Sequence, residues 1–283
     1  MPIARSCVLL CACLLAGCSP FPVLNAFSPA DQAQLQGDID YGDLPRQRLD
    51  VYQPGASGVQ PAPVVVFFYG GAWDSGRKED YRFVGHTLAS RGVVAVVPDY
   101  RVYPAVTFPV FVEDAAAAVA WTLDNIGRFG GSAGRVYVMG HSAGAHIAGL
   151  VALDERYLGV HGKQPGQLRG FIGLSGPYDF LPLKSRRLKR IFGDPAPADS
   201  QPINFVNPAA PPALLITGGD DTTVIPRNTL RLADRLSQTG IPVRRIVYPE
   251  VGHGRTVAAF SSLGDGLPVV EEVVRFVRSG AAP

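Results

Sequence analysis

The sequence predicts an α/β protein with a mostly parallel central sheet, helices on both faces and a short cap-like excursion. Three observations carry that prediction. Continuous apolar runs, the mark of strands buried on both faces, alternate with helix-compatible segments along most of the chain. The 283 residues are 47% hydrophobic and 18% charged, enough to bury one large core. The alternation breaks only once, between Pro177 and Pro212, in a stretch rich in proline and basic residues.

Taken in order, Ile39 to Tyr41 and Arg48 to Tyr52 are short strand-like pieces joined by GDLPRQ, a hairpin at a sheet edge. Buried-type strands follow at Val64 to Phe68, Val93 to Val97, Val136 to Met139, Phe171 to Leu174 and Leu214 to Thr217. Helices are expected between them at Tyr81 to Ser90, Val110 to Ile126, Ala143 to Leu153 and Arg227 to Ser237. A final strand, Val243 to Tyr248, and a final helix, Val269 to Arg278, complete the pattern. Pro177 to Pro212 is read as a partly helical excursion over the carboxyl ends of the strands.

All four cysteines, Cys7, Cys11, Cys13 and Cys18, fall within the first eighteen residues. A basic start at Arg5, an apolar run from Cys7 to Ala16 and the small Gly17 form the three-part pattern of a secretory signal, too short to span a bilayer. Leu15, Ala16, Gly17 and Cys18 resemble the lipobox of bacterial lipoproteins. That resemblance implies cleavage before Cys18, lipidation of Cys18 and a membrane anchor. Ser19 resembles the outer-membrane sorting choice, which implies the periplasmic side of the outer membrane. A plain signal peptide cut nearby and a short membrane anchor are the alternatives. The expected organisation is a signal at 1–17, a lipidated N-terminus and tether at 18–37, and the catalytic-size domain at 38–283. A net charge of +2 gives no global field toward nucleic acid, and none is expected as a partner.

The pattern GxSxG occurs twice, as GGSAG around Ser132 and GHSAG around Ser142. A nucleophile elbow needs a strand before the serine and a helix after it, because that tight turn lifts the hydroxyl above the sheet. Only Ser142 stands between a strand and a helix; Ser132 is expected in a loop entering the next strand from below. Ser142 as a simple helix N-cap is the competing reading. A serine nucleophile needs a base, and the base an orienting carboxylate. GGDDTTVIP follows one later strand and PEVGHG the next, which offers Asp221 and His253 on the same sheet edge. Asp220 competes as the acid. Asp179 also follows a strand, although a turn-stabilising role suits it better. After Val64 to Phe68 comes YGGAW, whose glycines let backbone N–H groups approach a substrate oxygen, with the N–H of Ala143 as a further donor.

With these residues placed, the chain from about Asp38 to Arg278 resembles an α/β-hydrolase of the carboxylesterase and arylformamidase group that carries HGGxW and GHSAG. DYR at Asp99 to Arg101, FPVFVEDAAAAVAW from Phe108, GHSAGAH from Gly140, LSGPYD from Leu174 and VGHG from Val251 carry the likeness. The resemblance implies Ser142 as nucleophile, His253 as general base, Asp221 as its orienter, and Gly71, Ala72 and Ala143 as oxyanion donors. It also implies a small-molecule ester substrate and no cofactor. Arylformamides and feruloyl or acetyl esters are alternative substrates, and a catalytically silent envelope lipoprotein is the non-enzymatic alternative. One departure stands out: Tyr69 occupies the place of the group's usual histidine, either to brace the oxyanion loop or to reach substrate.

The other marked residues have ordinary explanations. His86, His141, His146 and His161 have no carboxylate at metal spacing, so no metal is expected. Trp73 and Tyr178 suit a pocket wall or core packing. KSRRLKR, residues 184–190, reads as a solvated helix face, with anionic lipid or a carboxylate-bearing substrate as the sharper reading. No GxxxxGKS or strand-linked GxGxxG points to a nucleotide.

Overall fold

The computed structural model describes residues 19–55, 61–194, 196–264 and 266–279. The expected signal at 1–17 and the lipidation site Cys18 lie outside the described residues. In chain order the elements are α1 (Phe21–Ala26), β1 (Ala33–Asp40), β2 (Arg48–Pro54), β3 (Ala62–Phe68), α2 (Arg82–Ser90) and β4 (Val94–Pro98). Then come α3 (Val110–Asn125), β5 (Gly131–His141), α4 (Ala143–Leu153), α5 (Glu155–Gly159), β6 (Leu168–Leu174) and α6 (Arg186–Phe192). β7 (Ala213–Gly218), α7 (Arg227–Gln238), β8 (Val243–Tyr248), α8 (Arg255–Ala258) and α9 (Val269–Ser279) follow. Short 3-10 turns lie between several of these elements.

The eight strands form one sheet in the order β1-β2-β4-β3-β5-β6-β7-β8. β1 pairs antiparallel with β2, and β2 with β4; every other pairing is parallel. This is the α/β-hydrolase fold. Strand β3 is the pivot: the chain first steps to β4 on one side, then back across to β5 on the other. Right-handed crossovers stepping in opposite directions must place their helices on opposite faces. Accordingly α2 shares a face with α9, where Arg278 Nη2 donates to Arg91 O at 2.8 Å, while α3 and α4 pack together on the other face. The central strands β3 and β4 are buried along their whole length, which is why they read as unbroken apolar runs.

Several boundaries differ from expectation, most of all towards the N-terminus. β1 begins at Ala33, and its sequence AQLQGDID is almost wholly exposed, so an edge strand with no buried face left no apolar signal. The segment expected to be a tether also carries structure. Phe21 packs its ring 4.7 Å from Tyr81, Leu24 is buried, and Asn25 both donates to Glu79 O and accepts from Phe83 N. A handful of side-chain contacts holds these residues, and periodicity over six residues cannot reveal them.

Candidate active site

The sheet register builds the site before any side chain is considered. Phe68, the last residue of β3, pairs with Gly140 of β5, so the YGGAW loop and the turn at Ser142 emerge side by side. His141 pairs with Leu174 of β6, and Gly218 of β7 with Tyr248 of β8. Loops after β3, β5, β7 and β8 therefore converge at the carboxyl edge, where α/β sheets bind ligands.

Ser142 is the single residue between β5 and α4, with φ 55° and ψ −123°. L-residues avoid that region, and the surroundings hold it there: Ser142 N donates to Leu174 O at 2.9 Å, and its carbonyl accepts from Ala145 N. Both flanking glycines are required. A Cβ on Gly140 would stand 2.2 Å from the Gly144 carbonyl oxygen, and one on Gly144 only 2.0 Å from that of Phe68. Ser132 has none of this setting. It lies inside β5 near the amino edge, rather than in the expected loop, because β5 already pairs with β3 from Gly131.

Ser142 Oγ lies 2.8 Å from His253 Nε2, and His253 Nδ1 lies 2.7 Å from Asp221 Oδ2. The second oxygen of Asp221 accepts from the N–H groups of Thr223 and Val224 at 3.0 and 2.8 Å. Burial alone would raise the Asp221 carboxyl, but the bond from His253 and these two N–H groups bring it below its usual value. Asp220 is exposed, and Asp179 pairs with Arg231, so neither rival meets His253.

The loop bearing His253 is itself held. Its carbonyl oxygen accepts from Thr256 Oγ1 at 3.2 Å and lies 3.2 Å from His141 Nε2. Burial, with His253 beside it, pushes the His141 imidazole down to about 3, so the ring is neutral and Nε2 carries the donated hydrogen. His141 Nδ1 is buried without a hydrogen-bond partner and faces Gly70, where a Cβ would stand 3.0 Å away. Sequence reasoning weighed His141 only as a metal ligand and missed this positioning role.

In the loop after β3, Gly71, Ala72 and Trp73 all have positive φ, at 137°, 47° and 62°. Among the described residues no hydrogen bond uses the N–H of Gly71, Ala72 or Ala143, which leaves three donors beside Ser142. Tyr69 braces the loop. Its buried ring stacks on Tyr100 and Tyr81, and its hydroxyl donates to Asp99 Oδ1 at 2.7 Å and accepts from Arg46 Nη2 at 2.7 Å. Asp99 Oδ1 also accepts from Lys78 N, and Arg46 donates to Gly76 O, so both ends of the loop are tied to one cluster.

Trp73 Nε1 donates to His146 Nδ1 at 3.2 Å, and His146 Nε2 in turn donates to Ser200 O at 2.7 Å. Trp73 also packs against Phe180 and Phe192 of the excursion, and Arg187 of α6 pairs with Asp74. The loop after β3, the helix after Ser142 and the excursion are thus one packed unit. Tyr178 is fully buried and belongs to the core. Among the described residues, no group of three or more His, Cys, Asp or Glu is placed to hold a metal. Chemically, the arrangement can draw a proton from Ser142 to His253 and offer N–H groups to a developing oxyanion.

The BD-FAE family model matches residues 49–236 of the chain. Isoprenylcysteine alpha-carbonyl methylesterase ICME of Arabidopsis thaliana is 31% identical over 251 residues, covering 81% of this chain and 58% of that protein. Esterase LipC of Mycobacterium tuberculosis is 32% identical over 239 residues, covering 76% of this chain and 58% of that protein. The chain thus spans little more than half the length of these curated relatives. Esterase B of Lactobacillus rhamnosis, solved with a tributyrin phosphonate inhibitor, superimposes with a TM-score of 0.78 at 18% identity, over 98% of this chain and 94% of that one.

Proposed function

The chain belongs to the BD-FAE family, and from that premise we propose that it is a serine hydrolase of small carboxylic esters, held in the bacterial cell envelope through its N-terminus. The hydrogen-bonded line from Ser142 through His253 to Asp221 carries the reading. Ser142 Oγ attacks the ester carbonyl while His253 Nε2 takes its proton. Asp221 holds the imidazole in the required tautomer and stabilises the imidazolium that forms. The carbonyl oxygen gains charge against the N–H groups of Gly71, Ala72 and Ala143, each such donor being worth ~3 to 4 kcal/mol in the transition state. His253 gives its proton to the leaving alcohol, an acyl-serine forms, and a water deprotonated by His253 releases the acid.

The relatives' names support an ester substrate, and envelope anchoring is supported by the LAGC pattern ending at Cys18. The test is a chain-length series of p-nitrophenyl esters, with methyl ferulate and an N-formyl aryl amine alongside, run on the chain and on Ser142→Ala. Turnover that depends on Ser142 and favours short acyl chains is the expected result; preference for the ferulate or the formamide moves the substrate to those classes. No turnover, and no labelling of Ser142 by a serine-directed phosphonate, would leave the non-enzymatic alternative standing.

A further inference from the structure

The direction in which the N-terminal segment runs bears on what the active-site face meets. Strand β3 ends at the carboxyl edge, and α2 runs from that edge back to the amino edge before β4 begins. The N-terminal segment follows α2 over the same course. Phe21 packs on Tyr81, which precedes α2; Asn25 bonds to Glu79 and Phe83; and β1 starts at Ala33 opposite Pro54, at the amino edge. The segment therefore enters the fold at the carboxyl edge, beside the 69–81 loop that carries Gly71 and Ala72. Three residues of chain reach about 10 Å at most, so a group attached at Cys18 stays within that distance of Phe21.

The same loop is flanked by α6. Arg187 pairs with Asp74 and Lys189 with Asp194, but Lys184, Arg186 and Arg190 are exposed with no ion pair among the described residues. Arg186 and Arg190 are four apart and share one helix face. Leu44 and Ile225, both exposed large apolar side chains, stand on loops of the same edge. Of the exposed carboxylates of this edge, Asp43, Asp220 and Glu250 lie on the loops of the outer strands and Glu113 in the first turn of α3, while Asp40 and Asp194 are taken up by Arg48 and Lys189.

We propose that the carboxyl edge is a membrane-docking face, on which the basic α6 rests against anionic phospholipid and presents Ser142 to esters at the bilayer surface. Three unpaired cations beside the oxyanion loop complement a negatively charged headgroup layer, and the entry point of the N-terminal segment puts any anchor at Cys18 on the same side. The inference rests on the ester-hydrolase reading only for its substrate arm; the docking arm is independent of catalysis.

The experiment uses the full chain carrying Cys18→Ser, which removes lipid attachment, with and without Arg186→Glu and Arg190→Glu. Flotation with phosphatidylcholine vesicles is compared with flotation on vesicles containing phosphatidylglycerol. Since a cation near such a surface is worth about fivefold in partitioning, the double reversal should weaken binding to the anionic vesicles at least ~10-fold and leave neutral vesicles unaffected. Salt should abolish the difference. On the lipidated chain, the reversal should slow hydrolysis of a bilayer-embedded ester and leave a water-soluble p-nitrophenyl ester unchanged. Equal flotation of the two forms on anionic vesicles overturns the docking face, whereas failure of both forms on every ester, with the flotation difference intact, overturns only the enzymatic reading.

Discussion

Tyr69 shows how a departure from a motif is absorbed by its neighbours. Its ring lies between Tyr81 and Tyr100, and its hydroxyl joins Asp99 to Arg46, so the residue that opens the loop after β3 points into the fold. Burial raises the Asp99 carboxyl above its usual value, opposed by the Tyr69 hydroxyl and the Arg46 charge. Tyr69→Phe deletes that hydroxyl and leaves both partners short of a bond inside the protein, at a cost of about 1 to 3 kcal/mol in stability. Because the loop it holds is predicted to act on the transition state, kcat should fall by roughly 10-fold or more while KM changes little. Steady-state kinetics beside urea denaturation checks both halves; a KM effect alone would contradict the bracing role. At Ser142 the expected outcome is different in kind. Ser142→Ala removes the oxygen proposed to attack the ester but keeps a side chain in the same strained conformation, so turnover should fall by ~10⁴-fold or more with the unfolding midpoint almost unmoved. The residue scale also holds the clearest miss, His141 and His146, whose positioning bonds run to backbone oxygens of residues 253 and 200. No local pattern encodes such distant partners.

At the scale of elements, the carboxyl end of β5 and the first turn of α4 hold two buried imidazoles that tie neighbouring loops together. Burial pushes His141 down to about 3, with help from His253, and His146 to about 4, both from an ordinary value of 6.5. The folded state therefore binds these protons more weakly than the unfolded chain. Stability from this source is fully present above pH 6.5 and declines as pH falls through the window from 6.5 toward 3 to 4. Each histidine contributes at most one proton to the slope, about 1.4 kcal/mol per pH unit. Denaturation measured between pH 7 and 5 should show the decline, and His146→Gln, whose amide can both accept from Trp73 and donate to Ser200, should flatten it. An unchanged slope would mean that His146 is protonated as easily in the fold as outside it. The fully buried α4 begins and ends where the apolar pattern placed it, and so does the half-exposed β8, whose alternating residues suit a strand. β5 extends further toward the amino edge than its apolar core, because pairing with β3 continues there through backbone bonds that side chains do not advertise.

For the molecule as a whole, the N-terminal segment is part of the fold. A chain starting at Gln36 would lose the contacts of Phe21, Leu24 and Asn25 and would cut into β1. Burial of an apolar side chain is worth about 1.5 to 3 kcal/mol and a hydrogen bond about 1, so that truncation should be destabilised by at least ~3 kcal/mol relative to a chain starting at Ser19. Matched midpoints in urea for the two chains would show that the segment adds nothing.

What the sequence by itself determined is the order of strands and helices and the serine, acid and histidine at strand ends, since these follow from apolar periodicity and from residue types at turns. Gly140 belongs to this class as well, because a Cβ there would meet the Gly144 carbonyl within the same tight turn, whereas the Phe68 carbonyl of the neighbouring strand is what requires Gly144. The tertiary structure decided the rest. Asp221 rather than Asp220 or Asp179 meets His253, the Tyr69 hydroxyl turns inward onto Asp99 and Arg46, and the N-terminal segment returns along α2. These are outcomes of which distant surfaces touch once the sheet has closed its register, and only the complete set of packed elements specifies that.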